Sequence, residues 1–386
     1  LTLFCDLHIH LGRAGGQPVK ITASSRMTLK KVIEYGARVK GLHILGIIDA
    51  ACSPVLEELE EMLDKKQLAE CSGGGFQVPA GPLIIPGSEW EMEIEGARVH
   101  FLAFFPGLEA LKEFNSYLGQ KVKNPGLSTQ FLSDEIHNAL ARPRQLGGYL
   151  ALAHAFTPFK GFFGQLSSLG LLAGMAGHVD LVELGLSADA GMADQISELG
   201  TLPFIVGSDA HSPDNIGREY LEIDTDVQDM GQLFGVIQDT VGLRAFHGFP
   251  PAMGKYYRTR CRYCGFRAPG LRVKKCPGCG EKGLVQGVQD RINFLGRESG
   301  SSPVRPPYLP HLPLHVLPGF GPRTLSRLYC KLGTELEIIQ QVPPDHLDQY
   351  LNSRQKALIL ALRRGELALE SGGGGRYGRV KGPPSP

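Results

Sequence analysis

A chain of 386 residues, 42% apolar and 20% charged, has the composition of a globular protein with a sizeable core divided over two or three domains. Its net charge of +1 excludes a global attraction to polyanions, so nucleic-acid affinity has to come from local patches. No run of 18 apolar residues is available to span a bilayer and no secretory leader pattern is present, so the expectation is a cytoplasmic protein without membrane contact.

From residue 1 to about 250 the pattern is strand, loop, helix, repeated. Leu1, Leu3 and Phe4 are strand formers, and Asp6-Leu7-His8-Ile9-His10 then alternates. A side-chain period of two sends Asp6, His8 and His10 to one side, Leu7 and Ile9 to the other. Neutral imidazoles are the commonest ligands for borderline metals, although two hydrogen-bonded histidines explain this stretch alone equally well. Thr28 to Gly41 has helical spacing, Leu42 to Ile48 suits a buried parallel strand ending in Asp49, and Pro54 to Leu68 reads as a helix. Leu83 to Gly87 is a short strand followed by Ser88-Glu89-Trp90-Glu91, and Arg98 to Phe105 is a strand around His100. Gly148 to Ala153 leads into His154, Val179 to Leu184 carries Glu183, and Leu202 to Val206 leads into Gly207-Ser208-Asp209-Ala210-His211. Polar residues keep appearing where apolar strands end. That is the habit of a barrel-like α/β fold, whose chemistry sits on loops at the carboxyl ends of its strands.

Beyond residue 250 the register changes. Cys261-Arg262-Tyr263-Cys264 and Cys276-Pro277-Gly278-Cys279 are 11 residues apart, with Gly265 and Gly280 directly after each pair. Each knuckle of a zinc ribbon needs such a turn, and four thiolates complete a closed tetrahedral site, so one structural Zn is expected on Cys261, Cys264, Cys276 and Cys279. Between Lys255 and Lys282 there are nine Lys or Arg, Arg262, Lys274 and Lys275 among them, interleaved with Tyr256, Tyr257, Tyr263 and Phe266. Such a patch suits phosphate contacts and stacking on unpaired bases, or simply a solvated basic face. Ser299 to Pro318 reads as a linker or extended arm; Arg323 to Lys331 and Asp345 to Arg364 read as helices, and the tail from Ser371 as mobile. Leu317 to Thr324 is similar to the hairpin of a helix-hairpin-helix motif, and an ordinary Gly-Pro turn into a helix explains it equally. Arg354, Lys356, Arg363 and Arg364 are expected to give the last helix a basic side. The expected division is 1–250, 251–298 and 299–386.

The strand-end set comprises His8, His10, Asp49, Glu89, His100, His154, Asp209 and His211. Nitrogen and carboxylate donors bind Zn²⁺ or Mn²⁺, and a carboxylate can bridge two ions. In order and spacing, Asp6 to His10, Gly87-Ser88-Glu89, the His100 strand, Ala153-His154 and Gly207 to His211 resemble the polymerase-and-histidinol-phosphatase (PHP) phosphoesterases. The resemblance implies a distorted (β/α)7 barrel. It implies one metal on His8, His10, Glu89 and Asp209, with Glu89 bridging to a second on His100 and His154. Leu11 to Val19 lacks the further His of a full third site, and Asp49-Ala50 replaces the usual Asp-His pair. The expectation is therefore two divalent ions (Zn, Mn or Mg), with His211 as general acid or phosphate donor and catalysis resting on His211, Asp209 and Glu89. Asp49, Asp6 and Glu183 are secondary candidates for the metal's surroundings.

Ala153 to Phe159 with Phe162-Phe163-Gly164, Glu183 to Asp189, Ser208 to Pro213 with Ile216 to Glu219, the four cysteines and the Gly375-Arg376-Tyr377-Gly378 tail together resemble the endonuclease Q family. That resemblance implies a DNA-repair endonuclease acting on duplex DNA by two-metal activation of water. It implies a cut on the 5′ side of uracil, hypoxanthine, xanthine or an abasic site, leaving 3′-hydroxyl and 5′-phosphate ends, and a cytoplasmic, nucleoid-associated location. A lesion of this kind has to be taken out of the stack into a pocket. Trp90, Phe156, Phe159, Ser187 and Asp189 are candidates to line it, with plain packing an equal reading of Trp90. Glu183 and Asp189 are candidates to stand behind the metal ligands or accept from a base edge, and Arg262, Lys274 and Lys275 to hold DNA. The alternatives are a small-molecule phosphatase of the same fold, which has no use for the cysteine module, and a non-catalytic nucleic-acid-binding protein.

Overall fold

The computed structural model describes residues 2–166, 170–175, 177–200, 202–268, 270, 275–296 and 304–382. Its main sheet runs through β1 (Leu3–Ile9), β2 (Ile44–Ile47), β3 (Leu83–Ile94), β4 (Ala97–Phe104), β5 (Tyr149–Leu152), β6 (Leu181–Glu183), β7 (Phe204–Ile205), β8 (Tyr220–Ile223), β9 (Leu243–Gly248) and β10 (Tyr308–Pro310). Across the sheet the order is β7-β6-β5-β4-β3-β2-β1-β8-β9-β10. Just past β7 the chain returns to β1: Ala210 bridges Ile9, the His10 N–H donates to the Ala210 carbonyl at 3.1 Å and the Ala210 N–H to the His8 carbonyl at 3.2 Å. The first seven strands thus curl back on themselves. β4 runs antiparallel to both its neighbours while the other pairs of this set are parallel, and that reversal is the distortion of the expected barrel.

The strands form as their residues dictate. All seven residues of β1 are buried, the condition of a strand covered on both faces, and its alternation sends His8 and His10 to the inside of the curl. Helices cover the outside through apolar stripes at helical spacing: Val55, Leu56 and Leu59 of Ser53–Asp64, and Leu111, Phe114 and Leu118 of Leu108–Lys121. Burying each such side chain stabilises the fold by about 1.5–3 kcal/mol. Helix Val288–Leu295 joins this core through Val288, Ile292 and Leu295. A second core gathers Phe249, Met253 and apolar residues from Leu312 to Leu362. The Lys40–Glu335 ion pair, 2.8 Å long and 2% exposed on each side, joins the barrel to the carboxyl-terminal helices.

Four expectations are corrected. Leu83 to Glu91 is not a short strand plus loop: β3 continues unbroken to Ile94, held by its full pairing with β4 from Gly87↔Phe104 to Ile94↔Ala97. The extended arm, described from residue 304, lies along the sheet: Tyr308–Pro310 adds to β9 and Arg305 donates to Asp194 and to the Leu199 and Leu202 carbonyls at 2.7–3.0 Å. Asp345 to Arg364 is two helices, Pro344–Leu347 and Ser353–Arg363, because Asn352 starts the second with a reciprocal capping box. Its Arg363 turns inward to the Ile338, Ile339 and Val342 carbonyls, so the basic side is smaller than expected. The tail is fastened as far as residue 382, with 383–386 outside the described residues: Arg379–Gly382 pairs with Ala368–Glu370, and the N–H groups of Gly372, Gly375 and Gly378 donate to the carbonyls of Ala252, Lys255 and Met253. Before the Leu317 to Thr324 turn lies a short 3-10 turn, Leu314–Val316, in place of a first helix.

Candidate metal centre and cleft

At the ends of the curled strands the side chains of His8, His10 and Asp209 converge. His8 Nε2 and His10 Nε2 are 3.4 Å apart, and each is 3.5 Å from Asp209 Oδ1. An ion about 2.0–2.1 Å from each of three tetrahedral donors needs them about 3.3 Å apart, so this triangle fits a zinc-sized cation. A second group lies beside it: Glu89 Oε1 is 3.0 Å from His100 Nδ1 and 3.3 Å from His154 Nε2. The other oxygen, Glu89 Oε2, is 3.5 Å from His10 Nε2, so one carboxylate spans both groups. The donor atoms within each group lie within 4.8 Å of one another.

Backbone shape brings these donors together at a cost. His154 (φ 29°) and Asp209 (φ 46°) adopt the left-handed region that L-residues avoid. Gly207 is demanded by packing, because a Cβ there would sit 2.5 Å from His8 Cβ and 2.6 Å from Glu183 Oε1.

Behind the donors stands a layer of carboxylates. Glu183 accepts from His8 Nδ1 at 2.9 and 3.0 Å and from the His154 N–H at 2.7 Å. Asp49 meets His10 Nδ1 at 3.0 Å, accepts the Leu11 N–H at 2.5 Å and takes the Ser128 hydroxyl. Such partners fix which imidazole nitrogen faces the ion. Burial disfavours an imidazolium at His8, but Glu183, Asp209 and Glu89 outweigh it and raise its pKa to about 10. Burial also opposes charge on Glu89 and Asp209, yet the neighbouring Lys20 and histidines hold both well below the usual carboxylate range. Both carboxylates are thus held ionised, a form that favours cations beside them. His211 lies beside it, its ring centroid 4.6 Å from that of His10 and Nδ1 3.0 Å from the Asp209 carbonyl. Burial and the charge of His10 lower it to about 4.

Three sequence candidates take other roles. Asp6 is buried and accepts the N–H groups of His8, Ser208 and Gly217 at 2.8–3.2 Å, which makes it a backbone brace. Trp90 is 1% exposed and packs against Phe101 and Phe114, away from the cleft. The alternation of β3 contained that signal: with Glu89 and Glu91 facing the site, Trp90 has to face away. Asp189 caps the short helix Ala190–Ala193 by accepting the Met192 N–H at 2.8 Å.

A cleft of about 600 Å³ opens over the donors. Phe156, Ser187 and Phe159 line it, the first two buried and Phe159 43% exposed with Tyr256 edge-on at 5.4 Å. Arg262 lies 5.9 Å over the Phe159 ring, joining the cysteine module to the rim. Sequence reasoning missed Lys20, Thr129 and Arg218. Lys20 Nζ donates to Glu89 Oε2 at 3.0 Å and to the Thr129 hydroxyl, and Thr129 donates to the same oxygen at 2.6 Å. Arg218 braces the Asp209 loop through the Ser208 carbonyl at 2.6 Å and reaches the Tyr377 hydroxyl of the tail at 3.3 Å. A lone lysine after a small hairpin carries no local signal for such a position.

In the cysteine module Cys261 and Cys279 Sγ are 3.8 Å apart and Cys264 and Cys276 Sγ 3.5 Å. Four thiolates at about 2.3 Å from Zn²⁺ are about 3.8 Å apart, so the donor set fits. Both glycines turn as expected, Gly265 (φ 73°) and Gly280 (φ 74°) donating to the Cys261 and Cys276 carbonyls. Of the basic residues here, Arg258 pairs with Asp290 and Arg260 holds the Gly265 carbonyl, while Arg262 and Lys275 are exposed. Lys274 lies outside the described residues.

Comparison with known proteins agrees with this geometry. The model of the PHP-associated family (PHP_C) matches residues 190–240. The uncharacterized protein YqxK of Bacillus subtilis (strain 168) is 36% identical over 98% of this chain and 99% of its own length. The crystal structure of the lesion-specific endonuclease PfuEndoQ from Pyrococcus furiosus is similar with a TM-score of 0.84 and 28% identity, over 98% of this chain and 95% of that one. A structure of Endonuclease Q with a 27-mer duplex bearing an abasic lesion at its active site matches with the same TM-score and identity, over 99% and 97%. The chain belongs to the endonuclease Q family of PHP phosphoesterases.

Proposed function

We propose that this chain is a metal-dependent DNA-repair endonuclease that cuts the phosphodiester on the 5′ side of a deaminated base (uracil, hypoxanthine or xanthine) or abasic site, leaving 3′-hydroxyl and 5′-phosphate ends. The observation that carries the reading is the pair of donor groups sharing Glu89 on the floor of a cleft with an aromatic, basic rim. His8, His10 and Asp209 would hold one divalent ion (Zn, Mn or Mg), and His100 and His154 with Glu89 the second. Bound there, such ions act as Lewis acids and make water a nucleophile at neutral pH.

The chain's own residues do the rest. Glu183 and Asp49 orient the imidazoles that face the ions. His211 lines the cleft beside His10, and its ring would act at the reacting phosphodiester as a proton-exchanging group or a donor to phosphate. The cleft of about 600 Å³ is of the size that accommodates a small ligand such as an extruded nucleotide, with Phe159 and Tyr256 as stacking surfaces at its rim. The cysteine module, closed by one structural Zn, would hold Arg262 and Lys275 toward the duplex.

The test is an end-mapped cleavage assay on duplexes carrying a single uracil, hypoxanthine, xanthine or abasic site, with and without Mn²⁺ or Mg²⁺. A metal-stimulated nick immediately 5′ of the lesion is expected. Failure to nick any of the four duplexes sinks the proposal.

A further inference from the structure

Among the described residues, Lys20 is the one cationic side chain outside both donor groups that touches the shared carboxylate. It sits just after the small hairpin of Arg13–Ala14 with Gln17–Pro18, its side chain 13% exposed and lining the cleft. Two of its three N–H donors are engaged, one by Glu89 Oε2 and one by the Thr129 hydroxyl. Among the described residues the third has no acceptor. Thr129, held in the left-handed region (φ 55°), keeps the ammonium in place by bonding both it and Glu89 Oε2.

The other cations of the cleft are committed elsewhere. Lys160 pairs with Glu91, Arg218 braces the Ser208 and Asp209 carbonyls, and Lys255 lies over the Tyr256 and Tyr377 rings. Lys20 alone among these contacts the carboxylate that spans both donor groups. A half-buried, pre-positioned ammonium beside a reacting phosphodiester stabilises the charge that develops on its non-bridging oxygens.

We propose that Lys20 is a catalytic residue of this site, donating its third N–H to a non-bridging phosphate oxygen while Glu89 and Thr129 hold its other two. The inference deepens the phosphodiester-cutting reading above and rests on it.

The experiment uses the metal-loaded full chain and its Lys20→Met and Lys20→Arg variants. Three quantities are read: inorganic phosphate binding by calorimetry, hydrolysis of bis(p-nitrophenyl) phosphate at saturation, and metal per chain by elemental analysis. Lys20→Met is expected to weaken phosphate binding at least tenfold and to slow turnover on the order of 100-fold with metal content unchanged. Lys20→Arg is expected to restore both to within about tenfold of wild type. Phosphate binding and turnover within about threefold of wild type in Lys20→Met would overturn the proposal. So would metal loss in parallel with activity, which would make Lys20 a brace for Glu89 only. Nicking of lesion duplexes is scored separately, so a wild-type protein that binds phosphate but nicks no lesion defeats the lesion reading and leaves the Lys20 comparison standing.

Discussion

Glu183→Gln separates two roles that this residue has in principle, holder of histidines and acceptor for a base edge. Its carboxylate accepts from His8 Nδ1 and from the His154 N–H, one partner in each donor group. Glutamine with its oxygen in place of Oε2 keeps the bonds from His8 Nδ1 and the His154 N–H, but it loses the charge behind both groups and turns a buried amide N–H₂, without an acceptor, onto His8 Nδ1 where Oε1 now lies at 2.9 Å. Removing a carboxylate behind a metal-binding histidine typically costs 10–100-fold in metal affinity, or about 1.4–2.7 kcal/mol. A donor left buried and unpaired costs a further 1–3 kcal/mol or so of fold stability. The expected outcome is metal affinity down by 10–100-fold in a competition titration against a chromogenic chelator, a lower denaturation midpoint, and affinity for a lesion duplex within a few-fold of wild type. Unchanged metal affinity with weakened lesion binding would refute the reasoning and assign Glu183 to the base.

Three further outcomes are expected. Asp209→Asn should abolish cleavage while leaving duplex affinity, measured by fluorescence anisotropy, within a few-fold; binding lost in parallel would mean Asp209 acts through the fold of its strained loop. Cys261→Ala should release one zinc per chain and weaken DNA affinity about tenfold or more, because metal binding and folding are coupled in such small modules; elemental analysis with a binding titration checks it. Glu335→Ala strands the buried ammonium of Lys40 with only the Asp214 carbonyl at 2.7 Å, so urea denaturation should show a loss of about 3–5 kcal/mol, and the Lys40→Met, Glu335→Leu pair should recover most of it.

Much of the centre is legible in the amino-acid sequence because its signals are local. Residues two apart on a strand share a face, so His8 and His10 come as a pair, whereas Asp209 and His211 stand past the end of their strand on a loop turned by the left-handed Asp209. A Cys-x-x-Cys followed by glycine is a knuckle wherever it occurs, and the thiolates at 3.5 and 3.8 Å bear out that reading of the spacing. The curled α/β sheet likewise follows from repeated apolar runs ending in polar residues. Other positions are misread where local pattern competes with pairing partners. Glu89 has the local pattern of a loop residue because Pro86-Gly87 interrupts the run, yet the ladder to β4 carries the strand through it. The arm looks like a linker and the tail mobile by composition, but the edge of β9 pairs with the arm and the carbonyls of Ala252, Met253 and Lys255 accept from the tail's glycines.

Which donor atoms exist, and which of them share a strand face, is written in short stretches of residues, since the two-residue period and the tight cysteine turns are properties of a few adjacent positions. How those donors group is set by the closed sheet, because grouping depends on contacts between residues far apart in the chain: Glu89 reaching both clusters, Glu183 standing behind His8 and His154, and Lys20 resting on Glu89. The same closure turns Trp90 into core and leaves Asp189 as a helix cap. A side chain's chemistry is carried by its type, and its partner is chosen by the closure of the sheet.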